Sequence, residues 1–196
     1  FTRKMGESEK ILNKRAIPMA RKIEVVPYDP LWPTIYLNEI DRISPLTQDV
    51  ITTFYHIGST AVPGLDAKPT IDILAVATSL ITLDGKNDAM CSLGYQIKGE
   101  NGIPGRRYYR KLSGEDHLFH IHAFEAGNPE IMRHLNFRDY LRRNEKVRDA
   151  YGQLKRKLAQ KFPYDSPSYT AGKSEFIQKV DRQASDWRAS IERNKK

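Results

Sequence analysis

The chain of 196 residues carries a formal net charge of +8, with 39% hydrophobic and 29% charged residues. This length suits one domain, and the apolar fraction is sufficient for a core, which excludes a disordered chain. No apolar run of about 18 residues is present, so we expect no membrane-spanning segment. The first twenty residues are polar and basic, unlike a secretory leader, so we expect a cytoplasmic protein. Its one cysteine, Cys91, cannot form an internal disulfide and is interpreted as a small core residue.

The positive charge is unevenly distributed. Residues 23–128 carry eight Lys and Arg against thirteen Asp and Glu, and the basic excess lies mainly in residues 1–22 and 129–161. A basic helix face can attract nucleic acid. Because no DNA-reading motif is present, we favour solvated helix faces that help to attract an anionic small molecule, and we do not expect a nucleic acid partner.

The first half of the chain predicts an alternation of strands and helices. Residues Ile23–Val26 are predicted as a short strand, Trp32–Ile43 as a helix and Val50–Ile57 as a strand rich in β-branched and aromatic residues. A loop with two glycines and two prolines, residues 56–69, follows. It leads into Thr70–Val76, an apolar run with one charge, which is typical of a strand buried on both faces.

The middle of the chain predicts a short helix over Lys86–Leu93 and then three strands. These are a weak strand at Tyr95–Lys98 and two longer strands, Arg107–Leu112 and Leu118–Phe124, joined by a turn at Ser113–Asp116.

Everything after Asn128 is predicted to be helical. Asn128 can cap a helix and Pro129 suits its first turn. A break is expected near Asn144, and a proline-bearing loop over residues 162–168 precedes a last helix. We therefore divide the chain into a basic lead-in or linker (1–22), an α/β core (23–128) and a helical C-terminal layer (129–196).

The Gly58-Ser59 turn and Asp72 form the first candidate site. Glycine lets the backbone approach a ligand closely, and serine offers a hydroxyl and an N–H to a phosphate oxygen. Twelve residues separate Ser59 from Asp72, enough for the chain to return along a neighbouring strand. A carboxylate in an apolar strand is costly unless it is paired or binds a cation. Lys68 could contact the phosphate, or it could form a purely structural salt bridge with Asp72.

Two histidines share one face of a predicted strand. In Leu118–Phe124 the side chains of His120 and His122 point away from the apolar ones. Next to Asp72, these imidazoles would complete a mixed ligand set for a divalent metal, with nitrogen favouring Zn²⁺ or Mn²⁺ over Mg²⁺. The alternatives are ordinary polar-face residues, or one general base and one structural histidine.

Basic residues could support this site. Alternation places Arg106 and Arg110 on one face and Arg107 on the other, and an arginine fork can bind phosphate. Lys173 begins the last helix, where a cation is unfavourable to the helix dipole, which indicates a ligand or carboxylate partner. Our candidate phosphate-binding residues are therefore Gly58, Ser59, Lys68, Arg107, Arg110 and Lys173. Three further basic residues on the later helices either cover the cleft or are solvated: Arg138, Arg142 and Lys155.

The longer string of residues around the turn resembles the GrpB family. The resemblance is carried by His56-Ile57-Gly58-Ser59-Thr60-Ala61-Val62-Pro63-Gly64-Leu65, by Lys68-Pro69 and by Ile71-Asp72-Ile73. It continues in Val26-Pro27-Tyr28-Asp29-Pro30, in His120-Ile121-His122 and in Phe137-Arg138-Asp139-Tyr140-Leu141-Arg142. It extends over roughly residues 23–180.

The resemblance implies a nucleotidyltransferase-like mixed β-sheet flanked by helices, an α/β fold of the α+β type. Active members of that superfamily follow the Gly-Ser turn with two carboxylates on one strand, which hold two metal ions. Asp72 matches the first carboxylate, but Leu74 occupies the position of the second.

Two functions follow from this match. The first is an enzyme that transfers a nucleotidyl group from a nucleoside triphosphate to a small acceptor, with Asp72 and Ser59 as catalytic residues and a divalent metal, Mg²⁺ or Mn²⁺, as cofactor. Asp72, His120 and His122 would be the metal ligands, and Zn²⁺ would suit the histidines. The alternative, favoured by Leu74, is a module that binds a nucleotide or phosphorylated metabolite without turnover.

Overall fold

The computed structural model describes residues 21–194 and contains one five-stranded mixed sheet. Its spatial order is β1-β2-β5-β4-β3. The strands are β1 (Ile51–Ile57), β2 (Ile71–Ala77), β3 (Tyr95–Ile97), β4 (Arg106–Ser113) and β5 (Asp116–Glu125). The mixed α/β fold expected from the sequence is confirmed.

Helices cover both faces of the sheet and make up the C-terminal part. They are α1 (Trp32–Thr47), α2 (Leu80–Asp84), α3 (Asn87–Ser92), α4 (Pro129–Arg143), α5 (Glu145–Lys161), α6 (Ser166–Ala171) and α7 (Ser174–Arg193). The predicted cap is confirmed, since Asn128 Oδ1 accepts a hydrogen bond from Glu130 N over 2.9 Å. Within residues 21–194, no helix is both long and apolar enough to cross a membrane.

The strand register brings the predicted site residues together. Strand β2 pairs in parallel with β5, so that Asp72 lies beside His120 and Leu74 beside His122. On its other side β2 pairs antiparallel with β1, with Ile57 opposite Asp72. Because paired residues point to the same face of a sheet, these five side chains share one face.

Two apolar layers hold the sheet. On one face Ile73, Ala75 and Ile121 pack with α1 in the largest cluster of buried residues. On the opposite face a smaller cluster joins Leu74 and Phe124 to α4. The candidate site lies on this second face, where the polar ends of β2 and β5 meet the C-terminal helices.

The short helix expected over Lys86–Leu93 is confirmed as α3, and a further short helix, α2, precedes it. Three local expectations are corrected by the structure. Ile23–Val26 is not a strand, because within the described residues Val26 forms only an isolated bridge with Ala67. The loop predicted over residues 162–168 contains the start of α6, where Asp165 Oδ1 caps Ser168 N over 3.0 Å. Cys91 is exposed rather than part of the core.

The proposed division of the chain into three segments stays a prediction. Residues 1–20, most of the expected basic lead-in, lie outside the described part of the chain.

Candidate functional site

The Gly-Ser turn begins where strand β1 ends. Gly58 has a φ of 71°, and a 3₁₀ turn over Ser59–Ala61 follows. A Cβ atom on Gly58 would lie 2.5 Å from Asp72 Oδ2. Glycine is therefore required at position 58 for two reasons: the backbone conformation and the close approach of the Asp72 carboxylate.

Buried hydrogen bonds fix the turn from within. His56 Nε2 lies 2.9 Å from Thr60 Oγ1, and the Thr60 hydroxyl in turn donates to the carbonyl of Thr70 over 3.4 Å. The His56 ring also stacks on Tyr36, with ring centroids 4.9 Å apart. Burial lowers the pKa of His56 to about 4, so this ring is neutral at pH 7. Its contacts support the conformation of the turn.

Three arginines of α4 and α5 brace the same turn from outside by donating to its backbone carbonyls. Arg142 donates from Nε and Nη2 to the carbonyl of Ala61, over 2.8 and 2.6 Å. Arg138 donates to the carbonyl of His56 over 3.0 Å and Arg148 to that of Pro63 over 3.3 Å. The C-terminal helices thus determine the position of the turn.

Asp72 stands between two imidazoles. Its Oδ1 lies 3.2 Å from His120 Nδ1 and 3.4 Å from His122 Nε2. Burial opposes ionisation of this carboxyl, but the hydrogen bonds from His120 and His122 outweigh it and hold the pKa of Asp72 well below its usual range. Asp72 is therefore a carboxylate at neutral pH, with its side chain 26% exposed.

The histidine pair continues into a longer chain of polar contacts. His117 Nδ1 lies 2.7 Å from His120 Nε2, and Arg106 Nη1 lies 3.3 Å from His122 Nδ1. These contacts hold both rings of the pair at their second nitrogens, on the side away from Asp72.

Three lysines form the opposite wall. Lys155 of α5 is 2% exposed, and its Nζ donates to Ser59 Oγ over 2.9 Å. Burial, assisted by the charge of Lys173, lowers the pKa of Lys155 to about 7. Burial and the charge of Lys68 lower the pKa of Lys173 to about 8. Burial also lowers the pKa of Lys68.

The rings of two tyrosines contact these lysines. Lys173 Nζ lies 4.5 Å and Lys68 Nζ 5.2 Å from the centroid of the Tyr169 ring, while Lys155 Nζ lies 4.5 Å from the ring of Tyr151. Within the described residues, none of the three lysines has a carboxylate at ion-pair distance. The lysines are thus held by rings and a hydroxyl instead of by acidic partners.

The Gly-Ser turn, Asp72 with its two histidines, and the three lysines line one cavity of about 450 Å³. It contains seven of the predicted site residues: Gly58, Ser59, Lys68, Asp72, His120, His122 and Lys173. Arg107 and Arg110 are not brought to it. Arg107 pairs with Asp84 over 2.7 Å on the other face of the sheet, and Arg110 donates to Gln96 over 2.9 Å at an exposed position.

Three basic residues that line the cavity were not among the predicted site residues. Lys155 was only one of several basic residues on the later helices, although its spacing from Tyr151 and Leu158 puts it on the buried stripe of α5. Arg133 and His134 also line the cavity, and burial lowers the pKa of His134 to about 3. A charged residue on an apolar helix stripe was the available signal for Lys155.

The predicted metal ligands are neighbours, because His120 and His122 each form a hydrogen bond with Asp72. Among residues 21–194, no group of three or more His, Cys, Asp or Glu side chains is arranged to hold a metal ion.

Similarity to known proteins extends over most of the chain. The family model described as GrpB protein matches residues 22–183. UPF0157 protein YqkA of Bacillus subtilis is 39% identical over 86% of this chain, and UPF0157 protein BH1888 of Halalkalibacterium halodurans is 36% identical over 85%. The match spans 49% of the first relative's length and 85% of the second's. A dephospho-CoA kinase of Mycolicibacterium paratuberculosis is 25% identical to this chain over the matched region, which spans 53% of the kinase's length.

Solved structures agree with the sequence match. Conserved protein GrpB from Enterococcus faecalis superposes with a TM-score of 0.79 at 36% identity, covering 82% of this chain and 96% of that one. The Cid1 poly(U) polymerase bound to MgGTP reaches a TM-score of 0.51 at 13% identity, over 75% of this chain and 50% of that one. This second likeness shows a nucleotidyltransferase-like fold. The matched family model, the relatives and the fold together show that the chain belongs to the GrpB family.

Proposed function

We propose that the cavity between the sheet and the C-terminal helices binds a nucleotide or another phosphorylated small molecule. The observation that carries this proposal is the wall of Lys68, Lys155 and Lys173, which lies beside the Gly58–Ser59 turn and, within the described residues, has no carboxylate at ion-pair distance. Asp72 is the one carboxylate among the described residues that line the cavity, and its charge is shared by all three lysines. A buried ammonium group without an ion-pair partner is costly to the folded state. A phosphate group would supply further negative charge.

The turn and the lysine wall suit one ligand chemistry. Ser59 Oγ already accepts a hydrogen bond from Lys155, and its own hydrogen is free to donate to a phosphate oxygen. Phe137, Tyr151 and Ile177 add an apolar surface to the same cavity, which a base or another apolar group could contact. The cavity therefore offers separate surfaces for a phosphate and for an uncharged part of the ligand.

Nucleotidyl transfer to a small acceptor is the second candidate function. It is favoured by the fold and by Asp72, which lies against Gly58 on the strand next to the turn. Asp72 and Ser59 would be its catalytic residues, and it would need a divalent metal held by Asp72 with His120 or His122. The donor set does not fit a two-metal centre, because the strand provides one carboxylate and the buried Leu74. We therefore place ligand binding first.

The first test is a panel of phosphorylated ligands followed by thermal unfolding. The panel holds ATP, CTP, GTP, UTP and dephospho-CoA, the last because a dephospho-CoA kinase shares similarity with this chain. A ligand at a hundred times its Kd raises the free energy of unfolding by about 2.7 kcal/mol. We expect such a rise with at least one member in wild type and none in Lys155→Met. Lys157→Met, which changes an exposed lysine of the same helix, should respond like wild type.

Turnover separates the two functions. A transferase would release pyrophosphate from the bound triphosphate when a mixture of small acceptors is added, and Asp72→Asn would lower that rate by orders of magnitude. A binding module would release none above the rate in buffer. If no member of the panel changes the stability of the wild-type protein, the proposed function is wrong.

A further inference from the structure

Among the described residues, Asp72 is the one carboxylate on the face of the sheet that lines the cavity. Its partner on β1 is Ile57 and its partner on β5 is His120. Two residues along its own strand, Leu74 is fully buried in an apolar cluster with Phe124 and Ile131. Magnesium and manganese bound to phosphates are held chiefly by carboxylate oxygens, and this face provides one such group.

The two histidines cannot replace the missing carboxylate without losing their present contacts. A carboxylate only accepts hydrogen bonds, so the hydrogens lie on His120 Nδ1 and His122 Nε2, where the rings face Asp72. A neutral imidazole then has one lone pair, on its other nitrogen. For His122 this atom accepts from the guanidinium of Arg106, which only donates. For His120 it lies 2.7 Å from His117 Nδ1.

The positive charge in the cavity comes instead from the side chains of Lys68, Lys155 and Lys173. Arg133 also lines the cavity, but its guanidinium is ion-paired with Glu130 over 2.9 Å and with Asp181 over 3.1 Å. The ring of Tyr169 supports Lys68 and Lys173, and Ser59 orients Lys155. A metal ion in a nucleotide site neutralises the phosphate chain and fixes its geometry. A set of oriented ammonium groups provides the same neutralisation.

We propose, on the basis of the proposed function, that the lysine wall takes the place of the metal ions and that the cavity binds its phosphorylated ligand as the free anion. The preferred ligand is thus the metal-free form of a polyphosphate or phosphate ester. A magnesium complex is disfavoured because the ion neutralises the oxygens that the lysines bind, and because it brings a second positive charge against them.

Titration calorimetry with ATP and with inorganic triphosphate tests this inference in wild-type protein. One titration contains EDTA and the other contains Mg²⁺ in excess over the ligand. We expect binding in EDTA and an affinity roughly tenfold or more weaker in Mg²⁺, equivalent to about 1.4 kcal/mol. Binding that requires Mg²⁺ or Mn²⁺ would overturn the inference and leave the proposed function intact. Absence of binding in both buffers, across the ligand panel, would overturn both.

The variant Asp72→Asn should have opposite effects on the two modes of binding, as the free anion or through a metal ion. If lysines bind the free anion, removing the nearby negative charge tightens binding in EDTA severalfold, because the like-charge repulsion is lost. If a metal held by Asp72 mediates binding, the same variant abolishes it. Lys173→Met should weaken binding in EDTA, and thermal unfolding of both variants shows whether they are folded.

Discussion

Lys155 Nζ donates a hydrogen bond to Ser59 Oγ over 2.9 Å, although 96 positions separate the two residues in the sequence. The contact joins α5 to the Gly-Ser turn and places an amine with a pKa of about 7 at the end of the cavity where we propose that phosphate binds. The folded protein pays a large desolvation cost for this lysine, since a shift of one pKa unit corresponds to about 1.4 kcal/mol. The proposed ligand, rather than stability, accounts for a lysine at this position.

Replacing the buried amine should therefore stabilise the protein while removing its ligand. We expect Lys155→Met to raise the free energy of unfolding by roughly 2–4 kcal/mol near pH 6, because a thioether of similar length carries no charge into the interior. Urea denaturation measures this change. Lys157→Met serves as the matched control, because Lys157 is exposed on the same helix and should change stability by less than about 0.5 kcal/mol. A strongly destabilised Lys155→Met protein would mean that the lysine is a structural requirement.

The stabilisation by Lys155→Met should depend on pH. Burial lowers the pKa of Lys155 from 10.5 to about 7, so between these two values the unfolded chain binds more protons at this residue than the folded protein. Stability rises with pH under that condition. The cost of the lysine is thus complete below about pH 7 and is relieved as the pH approaches about 10.5. The difference in unfolding free energy between variant and wild type should shrink steadily over this range.

Ligand binding should be accompanied by proton uptake. An anion beside Lys155 and Lys173 favours their protonated forms, and burial has lowered their pKa values to about 7 and about 8. At about pH 8 both lysines are partly neutral, so binding of ATP in EDTA should take up protons. Calorimetry in two buffers with different ionisation enthalpies measures the number. The uptake should be smaller in Lys173→Met, and equal heats in both buffers would contradict the expected titration of these lysines.

The part of the site that is carried by strands β1, β2 and β5 could be predicted from the sequence. Gly58, Ser59 and Asp72 fall within one short stretch, and alternation along β5 correctly placed His120 and His122 on one face. The position of Asp72 could also be expected from the sequence. An apolar strand that returns antiparallel to β1 places Asp72 next to the turn, and β2 pairs with β1 in this way.

The part of the site formed by helices was less predictable. Whether a lysine of α5 reaches the turn depends on how that helix packs, and a helix period alone does not give this. Alternation along the strand placed the side chain of Arg107 on the opposite face from those of Arg106 and Arg110. This placement argues against Arg107 as a phosphate-binding residue. The apolar run Ile23–Val26 was predicted as a strand and is not one. Within the described residues, the single bridge between Val26 and Ala67 is its one pairing with another segment.

Gly58 should be the least replaceable glycine of the turn. An alanine there must adopt a φ of 71° and place its Cβ 2.5 Å from Asp72 Oδ2. Gly102 is a matched control, because it has a φ of 83° and no atom of residues 21–194 lies within 4 Å of the place that an added methyl group would take. Gly102→Ala therefore reports the backbone cost. We expect about 1–2 kcal/mol of destabilisation for the control and clearly more for Gly58→Ala, measured by urea denaturation. Equal losses would mean that Asp72 moves aside freely.

The arginine brace should be measurable through Arg142. Its Nε and Nη2 both donate to the buried Ala61 carbonyl, and a buried carbonyl without a partner costs about 1–3 kcal/mol. We expect Arg142→Met to lower the free energy of unfolding by that amount and to weaken ATP binding in EDTA, because the turn loses one of its fixed points. Arg142→Lys should recover part of both, since it restores one donor. Arg143→Met, at the exposed neighbouring position, should leave stability and binding close to wild type. If Arg142→Met loses stability but binds ATP with unchanged affinity, the brace supports the fold and does not position the phosphate-binding turn.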